Sequence, residues 1–139
     1  MILVIRIAGM VGVPFDKKEA LSRIKLRRKY SAVLLKPSPE NIKLLDKIRN
    51  YVAYGDVTKE TLKNLIEKRG KPVVSGSKID AEKIISELDK KSLASLGLKP
   101  FFRLHPPLKG IEAKKHFGVG KGVLGDNKEK INDLVRRML

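Results

Sequence analysis

The stretch that decides the fold is Ile2-Leu3-Val4-Ile5-Arg6-Ile7-Ala8-Gly9-Met10-Val11-Gly12, followed beyond Pro14 by a basic segment from Lys17 to Lys29. Its first seven residues are dominated by Ile, Val and Leu, side chains that fit a pleated, buried strand. The strand ends where Gly9 and Gly12 permit a tight turn and a close approach of the backbone to another group. Pro14 closes the loop ahead of a helix in which Ala20, Leu21 and Ile24 share one face, leaving the cations on the others. From Lys17 to Lys29, seven Lys and Arg stand against Glu19 alone, a net of +6 over thirteen residues. Like charge at that density repels itself until a polyanion neutralises it and condensed counterions are released, so the segment points to nucleic acid. A self-neutralising surface helix would interleave acids and bases at four-residue spacing, and this one does not.

Composition pushes the same way. The 139 residues carry 31 Lys and Arg against 15 Asp and Glu, for a net charge of +16 that is spread along the chain. At 42% hydrophobic, with periodic apolar positions, the chain is expected to fold and not to behave as a disordered basic tail. One core is the default at this length, and it buries roughly two thirds of the unfolded chain's surface. Apolar runs such as Ala32-Val33-Leu34-Leu35 fall far short of the roughly 20 residues that span a bilayer, so no membrane partner is expected. The apolar start is interrupted by Arg6 and has no basic leader, which reads as a strand and implies a cytoplasmic protein. The absence of Cys excludes disulfides, thiolate zinc sites and thiol catalysis.

Along the chain, Ser31 to Lys36 reads as a second strand. Ser38 and Pro39 read as N-cap and first residue of a helix bearing Ile42, Leu45 and Ile48. Tyr51-Val52-Ala53-Tyr54 makes a third strand ending at Gly55, so residues 1–56 are expected to form a β-α-β-α-β core. Residues 57–139 are expected to form a mainly helical extension. Thr58 caps a helix with Leu62, Leu65 and Ile66 on one face, stopped by Gly70 and Pro72, and a further helix carries Ile84, Ile85 and Leu88. Residues 99–125 are rich in Pro and Gly and hold six cations against Glu112, which reads as a basic loop or a β-ribbon. A final helix over 126–139 opens with Asp126 and Glu129 in capping-box spacing and buries Ile131, Leu134, Val135 and Met138.

No residue set supports catalysis or a cofactor. Gly118-Val119-Gly120-Lys121-Gly122 resembles a phosphate cradle, but a P-loop needs Ser or Thr after its Lys, where Gly122 stands. Gly9-Met10-Val11-Gly12 matches the GXXG of KH domains in spelling, yet that loop joins two helices, and this one follows a strand. It reads better as a strand-to-helix turn approached by phosphate, with Arg6 beside it. His105 and His116 lack Cys or a carboxylate cluster to complete a metal shell. Asp16, Glu19, Glu40, Asp46, Asp56 and Glu60 sit near expected helix starts, where they serve amides and dipoles. The core is expected to claim most of Tyr30, Tyr51, Tyr54, Phe101 and Phe102, while Phe117 is left open between core and base stacking.

Several segments together match a known family. Ile5-Arg6-Ile7-Ala8-Gly9, Leu26-Arg27-Arg28-Lys29-Tyr30, Lys36-Pro37-Ser38, Tyr51-Val52-Ala53-Tyr54-Gly55, Lys68-Arg69-Gly70 and Ile131-Asn132-Asp133-Leu134-Val135-Arg136-Arg137-Met138 resemble ribosomal protein family thirty of the large subunit. The resemblance spans nearly the whole chain, and the joint order of the motifs is more specific than any one. Bacterial members resemble only about the first 55 residues, and the long basic N-terminal extension of eukaryotic members is missing, so the archaeal form is implied. The resemblance implies an α+β, ferredoxin-like core with a small antiparallel sheet backed by two helices. It also implies a non-enzymatic role binding large-subunit rRNA beside other large-subunit proteins. The candidate RNA-binding residues are then Arg6, Gly9, Gly12, Lys17, Arg23, Lys25, Arg27, Arg28 and Lys29, with Lys114, Lys115 and Lys121 of the second basic zone. The rival readings are a general nucleic-acid binder or RNA chaperone outside the ribosome and, third, a phosphate-handling enzyme.

Overall fold

The computed structural model describes residues 2–7, 13–24, 26–36, 38–69, 85, 101–105, 112–116 and 122–138. The first half alternates as read: β1 (Ile2–Arg6), α1 (Phe15–Arg23), β2 (Ser31–Leu35), α2 (Pro39–Ile48) and β3 (Val52–Asp56). Beyond it come α3 (Lys59–Arg69), β4 (Phe102–Arg103), β5 (Glu112–His116), β6 (Gly122–Asp126), a 3-10 turn over Lys128–Lys130 and α4 (Ile131–Met138). The strands form one sheet in the order β4-β2-β1-β3-β6-β5.

The three central strands are antiparallel, with β1 in the middle. Ile2 lies opposite Leu35 of β2 and Asp56 of β3, while Ile5 lies opposite Ala32 and Ala53. The outer strands make the whole sheet mixed, because β6 runs parallel to β3, with Ala53 opposite Gly125, and β5 runs parallel to β6. Each helix connecting the central strands returns the chain across the same face, which leaves the other face open for later segments.

The alternation of a strand sorts β1 between two cores. Ile2 and Val4 join Val33 and Val52 beneath Ala20 and Leu21 of α1 and Leu45 and Ile48 of α2. Leu3, Ile5 and Ile7 join Ala53 and Phe102 beneath Leu62, Leu65 and Ile66 of α3 and Ile131, Leu134, Val135 and Met138 of α4. The molecule is an α-β-α sandwich of three layers, α+β in class, with the ferredoxin-like β-α-β-α-β unit at its centre.

Beyond residue 56 the described part keeps the expected helices over Lys59–Arg69 and Ile131–Met138, which cover the second face, and adds three strands on both edges of the central sheet. One expectation changes: Asp126 does not open the last helix, for it ends β6 opposite Tyr54 and its Oδ1 accepts from the Lys128 N–H at 2.9 Å. That local turn leads through Lys128–Lys130 into α4. The helix expected around Ile84 and Leu88 and the stop at Gly70 and Pro72 lie outside the described residues, although Ile85 is helical and packs against the α3/α4 core.

Local rules explain the helix starts. Ser38 Oγ accepts from the Asn41 N–H at 3.3 Å, with Pro39 as the first helical residue of α2. Thr58 Oγ1 accepts from the Thr61 N–H at 3.3 Å and caps α3.

Candidate nucleic-acid interface

The basic segment is not one helix. The α1 helix stops at Arg23, and the Leu26 N–H reaches back to the Leu21 carbonyl at 2.9 Å, the six-residue closure of a Schellman ending. Leu21 and Leu26 are both fully buried, so the apolar contact that accompanies this ending pulls the chain out of the helix. Within α1 the cations Lys17, Lys18 and Arg23 are nearly balanced by Asp16 and Glu19, and Arg23 bonds Glu19 at 2.6 Å on the exposed face. Exposed Arg27, Arg28 and Lys29 then follow in an irregular turn with no acid between Leu26 and Ser31. The concentrated charge therefore sits on this turn, where sequence periodicity had spread it along a helix.

Arg6 holds the turn from beneath. It is only 2% exposed, and its Nη1 donates to the Leu26 carbonyl at 2.8 Å, while its own carbonyl accepts from the Tyr30 N–H at 2.7 Å. Burial lowers the guanidinium pKa from its usual value. Arg6, expected among the RNA-binding residues, is here a buried tie between β1 and the turn. A lone cation inside an apolar strand is the sequence signal for such a tie, since a buried charge requires a partner.

Tyr30 completes the brace in an unusual backbone state, with φ of 63°. A bulky residue in the left-handed region is held there by its surroundings. Here the Tyr30 N–H bonds to β1, and its carbonyl accepts from the Leu104 N–H at 3.0 Å beside β4. Ser31 pairs with Arg103 across the sheet, so the turn is continuous with the β4 edge. Two cation–aromatic pairs mark that edge, Lys29 over Tyr30 at 5.0 Å and Arg103 over Phe101 at 5.7 Å. Sequence reading missed Arg103 as a site residue because nothing local ties position 103 to position 30. Phe102 belongs to the core, as expected.

The other candidates divide. Lys17 is half-buried on α1, and Arg23 is engaged by Glu19. Lys114 and Lys115 lie on β5 at the far edge of the sheet. Gly9, Gly12, Lys25 and Lys121 lie outside the described residues, as do Phe117 and most of the glycine cradle, of which Gly122 opens β6.

The opposite end of β1 has the reverse character. There a groove of about 260 Å³ is lined by Ile2, Ile42, Leu45 and Tyr54 with Asp46, Asp56 and Asp126. Burial, then the charges of Asp126 and Asp46, raise the Tyr54 phenol above its usual pKa against a smaller opposing effect of Arg49. Carboxylates so placed repel phosphate, which leaves the Arg6 end as the anion-attracting one. Among the described residues no group of three or more His, Cys, Asp or Glu is arranged to hold a metal ion, and no helix is long and apolar enough to cross a membrane.

Comparison with known proteins agrees with this architecture. The family described as Ribosomal protein L30p/L7e matches residues 2–52, the span from β1 to the start of β3. The large ribosomal subunit protein uL30 of Methanococcus maripaludis is 34% identical over 98% of this chain and 97% of its own length. That of Pyrobaculum aerophilum is 36% identical over 98% of this chain and 92% of its own, and that of Methanobrevibacter smithii is 34% identical over the whole of both. With similarity running through both cores and not only through the first half, the chain belongs to the ribosomal protein L30p/L7e family.

Proposed function

We propose that this protein is a structural constituent of the large ribosomal subunit in the cytoplasm, binding large-subunit rRNA beside other ribosomal proteins and catalysing no reaction. The observation that carries the proposal is the acid-free turn Arg27-Arg28-Lys29, held by buried Arg6 in a chain whose full-length relatives are named for that subunit.

The mechanism follows from charge and shape. Arg27, Arg28 and Lys29 neutralise phosphates, and Arg103 extends the footprint along the β4 edge. Lys17 and Arg23 of α1 add charge, as does Lys25 two positions ahead of Arg27 in the chain, while Lys114, Lys115 and Lys121 belong to a second basic zone. Gly9 and Gly12 are further candidates for contact with the sugar-phosphate chain. Contacts of this kind fix register and orientation and read the fold of the RNA more than its base sequence.

Sedimentation of native cell extract through a sucrose gradient in magnesium buffer tests the reading. Co-migration with the large subunit that survives moderate salt is expected. A position at the top of the gradient, or with bulk DNA, would instead identify a general nucleic-acid binder. At residue level, Arg27→Ala with Lys29→Ala should lower the slope of log affinity against log salt by about two, near one per lost phosphate contact. An unchanged slope would place the RNA face elsewhere.

A further inference from the structure

Phe15, the first residue of α1, is 81% exposed, more than any other large apolar side chain among the described residues. Single exposed apolar residues are common on protein surfaces, so exposure alone decides nothing. Its setting does. At about 100° per residue, Phe15 falls on the side of α1 opposite the buried pair Ala20 and Leu21, so the helix itself aims the ring away from the core. Val13 is buried two residues earlier and anchors the entry of the chain.

The same outward face carries exposed Lys18, three residues on and within side-chain reach. Glu19, four residues on, is neutralised by Arg23 at 2.6 Å, and Asp16 lies about a quarter-turn away around the helix. The uncompensated charge beside the ring is therefore positive. At nine residues α1 is about 13 Å long, and the acid-free turn that follows it is tied back to Arg6 at the end of β1 that leads into Phe15, so one stretch of RNA strand can serve both. An aromatic face beside cations suits a nucleobase whose own phosphates occupy the cations, and bases become available in this way in loops and bulges of RNA but not inside a duplex.

We infer that Phe15 stacks on an unpaired base of the bound RNA. The inference rests on the proposal that the chain binds rRNA, and it assigns one contact that electrostatics does not supply.

The chain has no Trp, so Phe15→Trp introduces a single reporter at the stacking position. Titrated with deproteinised large-subunit rRNA, this variant should bind as the parent does and lose indole emission as the complex forms. Phe15→Ala and Phe15→Leu should both weaken binding about tenfold while leaving the salt slope unchanged, and Phe15→Tyr should restore affinity. Because the residue is exposed, all four variants should keep the parent's melting temperature. Unchanged emission in the bound Phe15→Trp complex, or unchanged affinity of Phe15→Ala, would overturn the stacking assignment and leave rRNA binding intact. Normal RNA affinity combined with failed incorporation into subunits would overturn it in favour of a protein contact. If the parent itself fails to prefer rRNA over bulk DNA, the functional proposal falls and the assignment falls with it.

Discussion

The two faces of the sheet are built by different rules. The face beneath α1 and α2 is assembled from residues near in sequence, each helix packing against the strands that flank it. The face beneath α3 and α4 joins residues 3–7 and 53 to residues 131–138, and its seams are hydrogen bonds and close backbone contacts between segments far apart in sequence. The first kind of face is legible one element at a time. The second is visible only once the chain has closed on itself.

The largest test of that contrast is at Gly55. A Cβ added there would meet the Lys128 carbonyl oxygen at 2.2 Å and Ile131 side-chain atoms at 3.0 Å, so β3 and the 3-10 turn touch because residue 55 has no side chain. Gly55→Ala should destabilise the protein by about 3 kcal/mol in denaturant titration, the upper range for overpacking. A loss under about 1 kcal/mol would show that the turn yields freely and that the second face is loosely joined.

Next comes Asn132, 6% exposed. Its Nδ2 donates to the carbonyls of Asp56 at 3.2 Å and Glu129 at 2.9 Å, and its Oδ1 accepts from the Thr58 N–H at 2.9 Å. One side chain thus fastens α4 to the junction of β3 and α3. Asn132→Ala should lower stability by about 2 kcal/mol, because it leaves partly buried polar groups without partners. On the other face, Ser38→Ala removes a local cap and should cost about 1 kcal/mol. If Ser38→Ala proved the more damaging of the two, the contrast between local and distant stabilisation would be reversed.

The smallest effect joins the faces. Tyr54 packs with the α1/α2 core but feels Asp126 from the end of β6. Its phenol should ionise above the ordinary value of 10.0, with burial as the main cause, so its contribution to stability is present below that pH and is lost as pH rises through the folded pKa. Absorbance titration should find this late step missing in Tyr54→Phe and moved down in Asp126→Asn.

The β-α-β-α-β order, the caps at Ser38 and Thr58, and the buried stripes of α3 and α4 were all readable from period and punctuation. Three things were not fully so. The strands at 102–103, 112–116 and 122–126 fall where the sequence read as a loop or a β-ribbon, because they lie among glycines, prolines and cations and take their shape from pairing partners elsewhere, with β6 aligned by β3 and β4 by β2. The end of α1 at Arg23 was hidden because Lys25, Arg27, Arg28 and Lys29 all tolerate a helix, and only the burial of Leu26 breaks it. Arg6 was legible as a cation among the RNA-binding candidates but not as a buried tie, because a cation's charge is visible in sequence, whereas the carbonyl that receives it is twenty residues away.

The pairing of Ala53 with Gly125 and the closure of α4 over β1 also set a schedule. A chain made from its N-terminus at about 5–20 residues per second completes β3 roughly 4–16 s before the last turn of α4 exists. Through that interval Leu3, Ile5, Ile7 and Ala53 lack their α4 cover. The longest-range contacts of the fold are therefore the last to form, and a newborn chain shows its stickiest surface during the seconds when its cationic turn is already available to RNA.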